Sequence, residues 1–74
     1  LSFMDISVRV KPKSSKNTME SFGNNRYLVY LQSGLNEPGM WVELLAMLSR
    51  KFGVPQSRIE LRKDMGADKV FMIG

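Results

Sequence analysis

The chain has 74 residues, a formal net charge of +4, and neither cysteine nor histidine. A chain of this length makes one domain, expected to span residues 1–74, and leaves little core to line a cofactor-sized cavity. The lack of cysteine excludes disulfides and thiolate metal sites, and the lack of histidine removes the usual general base and the commonest metal ligand. The composition therefore predicts a non-catalytic domain with no cofactor and no metal.

The charge and hydropathy patterns bear on partners and location. A sequence pI near 9.8 favours anionic partners, such as nucleic acid or lipid headgroups, only mildly. No stretch approaches the roughly 18–20 apolar residues that span a bilayer, and no signal-peptide pattern is visible. These patterns predict an intracellular, cytoplasmic monomer with no membrane association. Residues 1–3 precede Met4, and they are expected to be a remnant of expression or the stub of a longer protein.

The first half of the chain is typical of β-structure. Residues 5–11 alternate apolar and polar side chains, which predicts a half-buried strand, and Pro12 ends it by removing a backbone donor. A polar loop follows at 13–17. Residues 18–22 and 26–32 are predicted as a short edge strand and a second strong strand. Gly23-Asn24-Asn25 between them predicts the turn of a hairpin.

The second half predicts one helix and two strands. Residues 40–52 form a helix, with Asn36 as its N-cap and Gly53 as its stop. Its apolar stripe consists of Trp41, Leu44, Leu45, Leu48 and Phe52. Residues 57–63 alternate again, and residues 69–73 are apolar on both faces, which predicts an interior strand. The order β-β-α-β-β, with a short hairpin strand before the second strand, predicts an α+β two-layer sandwich with one bare sheet face.

Several short motifs follow one another in a recognisable order. They are Val10-Lys-Pro-Lys-Ser-Ser-Lys-Asn17, Tyr27-Leu-Val-Tyr-Leu31, Lys51-Phe52, Val54, Ser57 and Lys69. Over residues 5–73 this order resembles the YggU-like family of small proteins. The resemblance implies a two-layer α/β sandwich without an established activity, and the setting of some family members is a minor indication of nucleic-acid association. It also implies that Lys13, Lys16 and Lys69 match basic positions of the family.

The chain departs from the family pattern in two places. The family has Gly-x-Ala-Asn where its helix begins, whereas Gly39 is followed here by Met-Trp-Val. Ala67 stands where the family usually has arginine before its late lysine. If those polar positions form a site in the family, the resemblance implies that part of it is missing here.

The candidate site is a polyanion-binding surface built from the basic loop and the bare sheet face. Cations would position phosphates and an aromatic ring could stack on bases. The candidate residues are Arg9, Lys11, Lys13, Lys16, Tyr30, Arg62 and Lys69. RNA or DNA is the expected ligand class. The alternative is a protein-interaction module that docks a partner through the open sheet face or an edge strand. The plainest interpretation is a solvated loop and an ordinary outer face whose charges maintain solubility.

Overall fold

A computed structural model describes residues 3–74 and shows one five-stranded mixed sheet with one helix packed on it. The predicted α+β class is confirmed, although the short hairpin strand is a full fifth member of the sheet. The predicted N-terminal remnant falls on residues 1–3, of which 1 and 2 lie outside the described residues. In chain order the elements are β1 (Met4–Lys11), β2 (Thr18–Ser21), β3 (Arg26–Tyr30), α1 (Gly39–Phe52), a 3₁₀ turn (Gln56–Arg58), β4 (Ile59–Met65) and β5 (Asp68–Ile73).

The strand order across the sheet is β2-β3-β1-β5-β4. β1 pairs with β3 in parallel, and the other three pairings are antiparallel. The predicted hairpin is the β2–β3 pair, and its turn residues Gly23, Asn24 and Asn25 all have positive φ. β5 lies between β1 and β4, which confirms its predicted interior position and explains why it is apolar on both faces.

The core lies between one face of the sheet and α1. Alternate side chains of the strands point to this side, and they meet a stripe of the helix. The buried apolar residues are Ile6, Val8, Val10, Val29, Leu31, Phe71 and Ile73 from the sheet side, and Met40, Leu44, Met47 and Leu48 from α1. One helix covers one face only, so the other face of the sheet is left bare.

The ends of α1 differ in how well the sequence predicts them. Gly53 ends the helix with φ 65°, in the left-handed conformation that glycine adopts without strain, as predicted. The predicted N-cap is wrong, because Pro38 occupies that position and no side chain caps the helix. The entry is held instead by Ser33, whose backbone N–H and hydroxyl both donate to the Glu43 carboxylate one turn into the helix.

The buried stripe of α1 is also shifted from its predicted position. Trp41, Leu45 and Phe52 pack against the core but stay half-buried, whereas Met40 and Met47 are buried. Flexible thioether side chains fill irregular gaps under a twisted sheet, so Met40 and Met47 fit buried positions beside Leu44 and Leu48. None of the helical segments in residues 3–74 has the length and apolar character needed to traverse a bilayer.

β4 begins later than predicted and is irregular. The segment Gln56–Arg58 is a 3₁₀ turn, and the strand runs from Ile59 to Met65. Its pairing with β5 shifts between Leu61 and Lys63, so Arg62 is an extra residue in the ladder. Such a bulge bends a strand and interrupts its hydrogen bonding, which protects a sheet edge from further strand addition.

Candidate functional site

The candidate site is the sheet surface turned away from α1, named here the open face. Residues paired directly across neighbouring strands share a face, so the register identifies its members. They are Asp5, Ser7, Arg9 and Lys11 of β1, Thr18 and Glu20 of β2, Arg26, Leu28 and Tyr30 of β3, Glu60, Lys63 and Met65 of β4, and Asp68, Val70 and Met72 of β5. Arg9, Lys11 and Tyr30 were predicted on this face, and the register confirms their placement.

A groove of about 700 Å³ crosses the open face. Its floor includes Ser7, a small side chain on the central strand that lies between Arg26 of β3 and Val70 of β5. Larger neighbours on both sides leave a hollow over this serine. Phe22, 56% exposed, and Met65, 61% exposed, also line the groove. Exposed apolar side chains next to a concave floor are typical of binding surfaces.

An ion pair divides the groove. The Arg9 guanidinium donates from Nε to one oxygen of Asp68 at 2.8 Å and from Nη2 to the other at 3.1 Å. These hydrogen bonds hold the pKa of the Asp68 carboxyl below its ordinary value and raise that of Arg9. The pair is exposed, so it fixes the two side chains more than it stabilises the fold. It also leaves Arg9 with a carboxylate already in place, which a phosphate would have to displace.

Tyr30 lies on the same face at the C-terminal end of β3, directly across from Lys11. Interaction with the Glu20 carboxylate of the neighbouring strand raises the pKa of the Tyr30 phenol, and partial desolvation acts in the same direction. The hydroxyl group therefore lies near a carboxylate. A negative charge beside the one tyrosine on this face makes it a poor platform for stacking nucleic-acid bases.

Cations and carboxylates balance on the open face. Its cations are Arg9, Lys11, Arg26 and Lys63, and its carboxylates are Asp5, Glu20, Glu60 and Asp68. Arg62 stands at the bulge, 4.0 Å from Glu60. If it is counted as well, the net charge of the open face is +1 at most. The chain carries +4 in total, so most of its excess charge lies elsewhere. The face as a whole is not the positive surface that the sequence predicts.

The basic loop does not form a phosphate cradle. The backbone N–H groups of Lys13 and Ser14 donate to the carbonyls of Ser33 and Leu31, and the Ser14 hydroxyl donates to the Lys11 carbonyl. These donors are consequently not free to receive an anion. The ammonium of Lys13 lies 3.6 Å from Glu37, just before α1. Lys16 is exposed and remains a free cation among the described residues.

Lys69 requires a correction, because it does not point to the open face. Its side chain is only 3% exposed and lies on the helix side, where its ammonium donates to Asp64 at 2.6 Å. The same ammonium stands 4.7 Å from the centre of the Trp41 ring, in cation–π geometry. Lys69 pairs with Val8 across the sheet, and both side chains face α1. A buried, paired lysine is a structural group here.

The seven predicted site residues therefore do not form one patch. Arg9, Lys11 and Tyr30 lie together on the open face, whereas Lys13, Lys16 and Lys69 lie on the loop or the helix side. Arg62 stands at the bulge of the far edge strand, two strands from β1. The predicted site residues did not include several others that line the groove, namely Ser7, Phe22, Arg26, Met65, Asp68 and Val70. Alternation places Ser7 on the outer side of β1, but the pairing of distant strands decides which residues of β3, β4 and β5 stand near it.

A second, smaller groove lies on the helix side, near the start of α1. It has a volume of about 490 Å³ and includes Trp41, Asp64 and Lys69. The buried ammonium of Lys69 already has a carboxylate partner. Within residues 3–74, no three acidic side chains gather as a metal site would require. The open face is therefore the better candidate site.

Neither a protein-family model nor a curated protein matches this chain. The resemblance to the YggU-like family consequently stays a prediction.

The two ion-paired aspartates predict a loss of stability in acid. A hydrogen bond from Lys69 lowers the pKa of Asp64, against partial desolvation, and Arg9 does the same for Asp68. Both folded-state values lie below the ordinary 3.8, so the unfolded chain takes up protons first as pH falls. The stability these groups contribute is present above that value and is lost below it. Urea unfolding midpoints at neutral and acidic pH measure the loss. We expect the double variant Asp64→Asn with Asp68→Asn to lose less stability in acid than the wild-type chain. An equal loss would contradict the assignment of this effect to the two aspartates.

Proposed function

We propose that this protein is a non-catalytic module that docks a partner protein through the open face. The single observation that carries the proposal is a nearly charge-neutral sheet face that no element of residues 3–74 covers and that contains a groove lined in part by apolar side chains. Leu28, Val70 and Met72 on it are half-buried, and Phe22 and Met65 are exposed. Aromatic and methionine side chains are enriched at protein interfaces, with charged pairs at the rim. The lack of histidine and cysteine supports the non-catalytic part of the proposal.

The face supports docking better than the sheet edges do. The edge strand β4 carries charged side chains and a bulge in its pairing with β5, and the other edge strand, β2, has only four residues. Short, bulged and charged edges discourage the addition of a further strand. A partner would therefore lie across the face and would not extend the sheet.

Binding of RNA, DNA or another polyanion is the weaker proposal. Carboxylates are as numerous as cations on the open face, apart from Arg62, and Asp68 lies inside the groove. Phosphates would meet these charges at short range. The free cations Lys11, Lys16 and Arg26 could still attract a polyanion at low salt, and that attraction would weaken steeply as salt rises.

Site-directed photo-cross-linking in cells that naturally produce the protein tests the docking proposal. A photoreactive phenylalanine analogue at Phe22 probes the open face, and the same group at Val42, 70% exposed on α1, is the matched control. We expect a discrete protein adduct from position 22 that is much stronger than any adduct from position 42. Ser7→Tyr, which fills the groove without touching the core, should suppress that adduct.

Three results would contradict docking through this face. One is an equal or stronger adduct from position 42, and another is an adduct that nuclease treatment removes. The third is a position-22 adduct that persists unchanged with Ser7→Tyr.

A further inference from the structure

Two cations in the groove of the open face have no partner. Arg9 and Asp68 neutralise each other there. Of the carboxylates in the described part of the chain, none lies within ion-pair distance of Lys11 or Arg26. The nearly neutral face therefore contains a groove that is itself positive, because Asp5, Glu20 and Glu60 lie outside it.

The spacing of the two free cations is set by the sheet. Arg26 of β3 lies directly across from Ser7 of β1, and Lys11 lies four residues after Ser7 on β1. At about 3.3 Å per residue, the two positions are about 13 Å apart along the strand direction. An extended peptide repeats this distance between residues i and i+4, and its residue i+2 points to the same side. In a helix, residues seven or eleven positions apart lie almost directly above one another, and their separations along the axis are about 10 and 16 Å. Neither separation matches the distance between the two cations as closely.

One apolar side chain lies between the two cations. Leu28 is the β3 residue between Arg26 and Tyr30, level with Arg9, whereas Val70 lies across from Ser7, level with Arg26. From these placements we infer that the groove binds an extended acidic segment with the pattern carboxylate-x-apolar-x-carboxylate. Its carboxylates pair with Lys11 and Arg26, and its central apolar side chain lies against Leu28, at the level of the Arg9–Asp68 pair. The inference rests on the proposed function and names the chemistry of the partner.

Two other occupants fit the groove less well. A second copy of the chain, docked about a two-fold axis through the groove, would bring the same patch against itself, so cations would meet cations. A nucleic acid would bring phosphates against Asp68 inside the groove, at the level where the peptide carries its uncharged central residue. Both are distinguishable outcomes of the experiment below.

Fluorescence anisotropy with labelled synthetic peptides tests the inference on the whole chain. The probe carries Asp-Ser-Leu-Ser-Asp at its centre, and the comparison peptides replace both aspartates with lysine or the leucine with serine. We expect only the acidic, leucine-containing probe to bind. Removing both groove cations with Lys11→Gln and Arg26→Gln should weaken binding about fivefold to tenfold, from two exposed ion pairs. Ser7→Tyr should reduce it further by filling the floor.

A matched double variant separates specific pairing from net charge. Arg50→Gln with Lys51→Gln removes the same charge from the last turn of α1, away from the open face, and should leave the affinity unchanged. Equal weakening by both double variants would overturn the inference, as would equal binding of the lysine peptide. Tighter binding of an oligouridylate, or a dimer in sedimentation that Ser7→Tyr dissolves, would also overturn it. Failure of every peptide alongside an intact cross-link at Phe22 would remove this inference alone, whereas cross-links centred on Val42 would remove the proposed function itself.

Discussion

Lys69→Glu is expected to remove a large part of the free energy of unfolding, whereas Lys69→Met should keep the fold. The wild-type side chain is 3% exposed, and its ammonium is held by Asp64 and by the face of Trp41. Reversing the charge would place two carboxylates together and leave a buried anion without a partner, at a cost of about 3–5 kcal/mol. A domain of 74 residues has roughly 4–11 kcal/mol of stability in total. The change therefore removes a large part of it.

Circular dichroism and urea unfolding measure this effect. Lys69→Met replaces the buried ammonium with an apolar side chain of similar length, and Asp64, whose side chain is 42% exposed, is hydrated once its partner is gone. Lys16→Glu is the exposed control with the same charge change, and it should alter stability by no more than about 0.5 kcal/mol. A Lys69→Glu protein as stable as Lys16→Glu would mean that Lys69 is open to solvent and available to a ligand.

Phe71→Ala is expected to destabilise the fold by about 3–5 kcal/mol. The ring is 1% exposed, lies on interior strand β5, and meets Trp41 edge to face with centroids 6.5 Å apart. In so small a core the remaining side chains can close the cavity only in part, so the loss of packing adds to the loss of apolar burial. The cooperative unfolding transition should shift to much lower urea or disappear.

Val42→Ala provides the contrast for this second change. Val42 is 70% exposed on α1 and contributes little buried surface, so its truncation should change stability by at most about 0.5 kcal/mol. If Phe71→Ala were as mild, the sheet and helix would not share the core described above.

Local sequence patterns predicted most of the fold because the forces behind them act over a few residues. Apolar and polar residues alternate along β1 because successive side chains of a strand point to opposite faces of the sheet, and only one of those faces is buried. The turn at Gly23 and the stop at Gly53 follow from left-handed backbone conformations, with φ 77° and 65°. The start of α1 was predicted wrongly because it is held by a hydrogen bond between Ser33 and Glu43, which are ten residues apart in the sequence. Asn36 is therefore not needed as a cap.

The site was harder to predict than the fold, because its members come together only through strand register. Lys69 points to the same face of β5 as Phe71 and Ile73, which are buried against α1. Since β5 is apolar on both faces, its own sequence could not show which side turns to the helix. Likewise, nothing near Ser7 indicates that Arg26 and Val70 will flank it, so the groove has no local signature.

Amide chemical-shift mapping tests most directly whether the open face is the binding surface. The ¹⁵N-labelled chain would be titrated with the acidic peptide or with a partner recovered by cross-linking. The account predicts the largest shifts at Ser7, Leu28 and Val70, with those at Leu45 and Ser49 on α1 nearly unchanged. Shifts centred instead on the helix, or on the smaller groove beside Trp41, would contradict it.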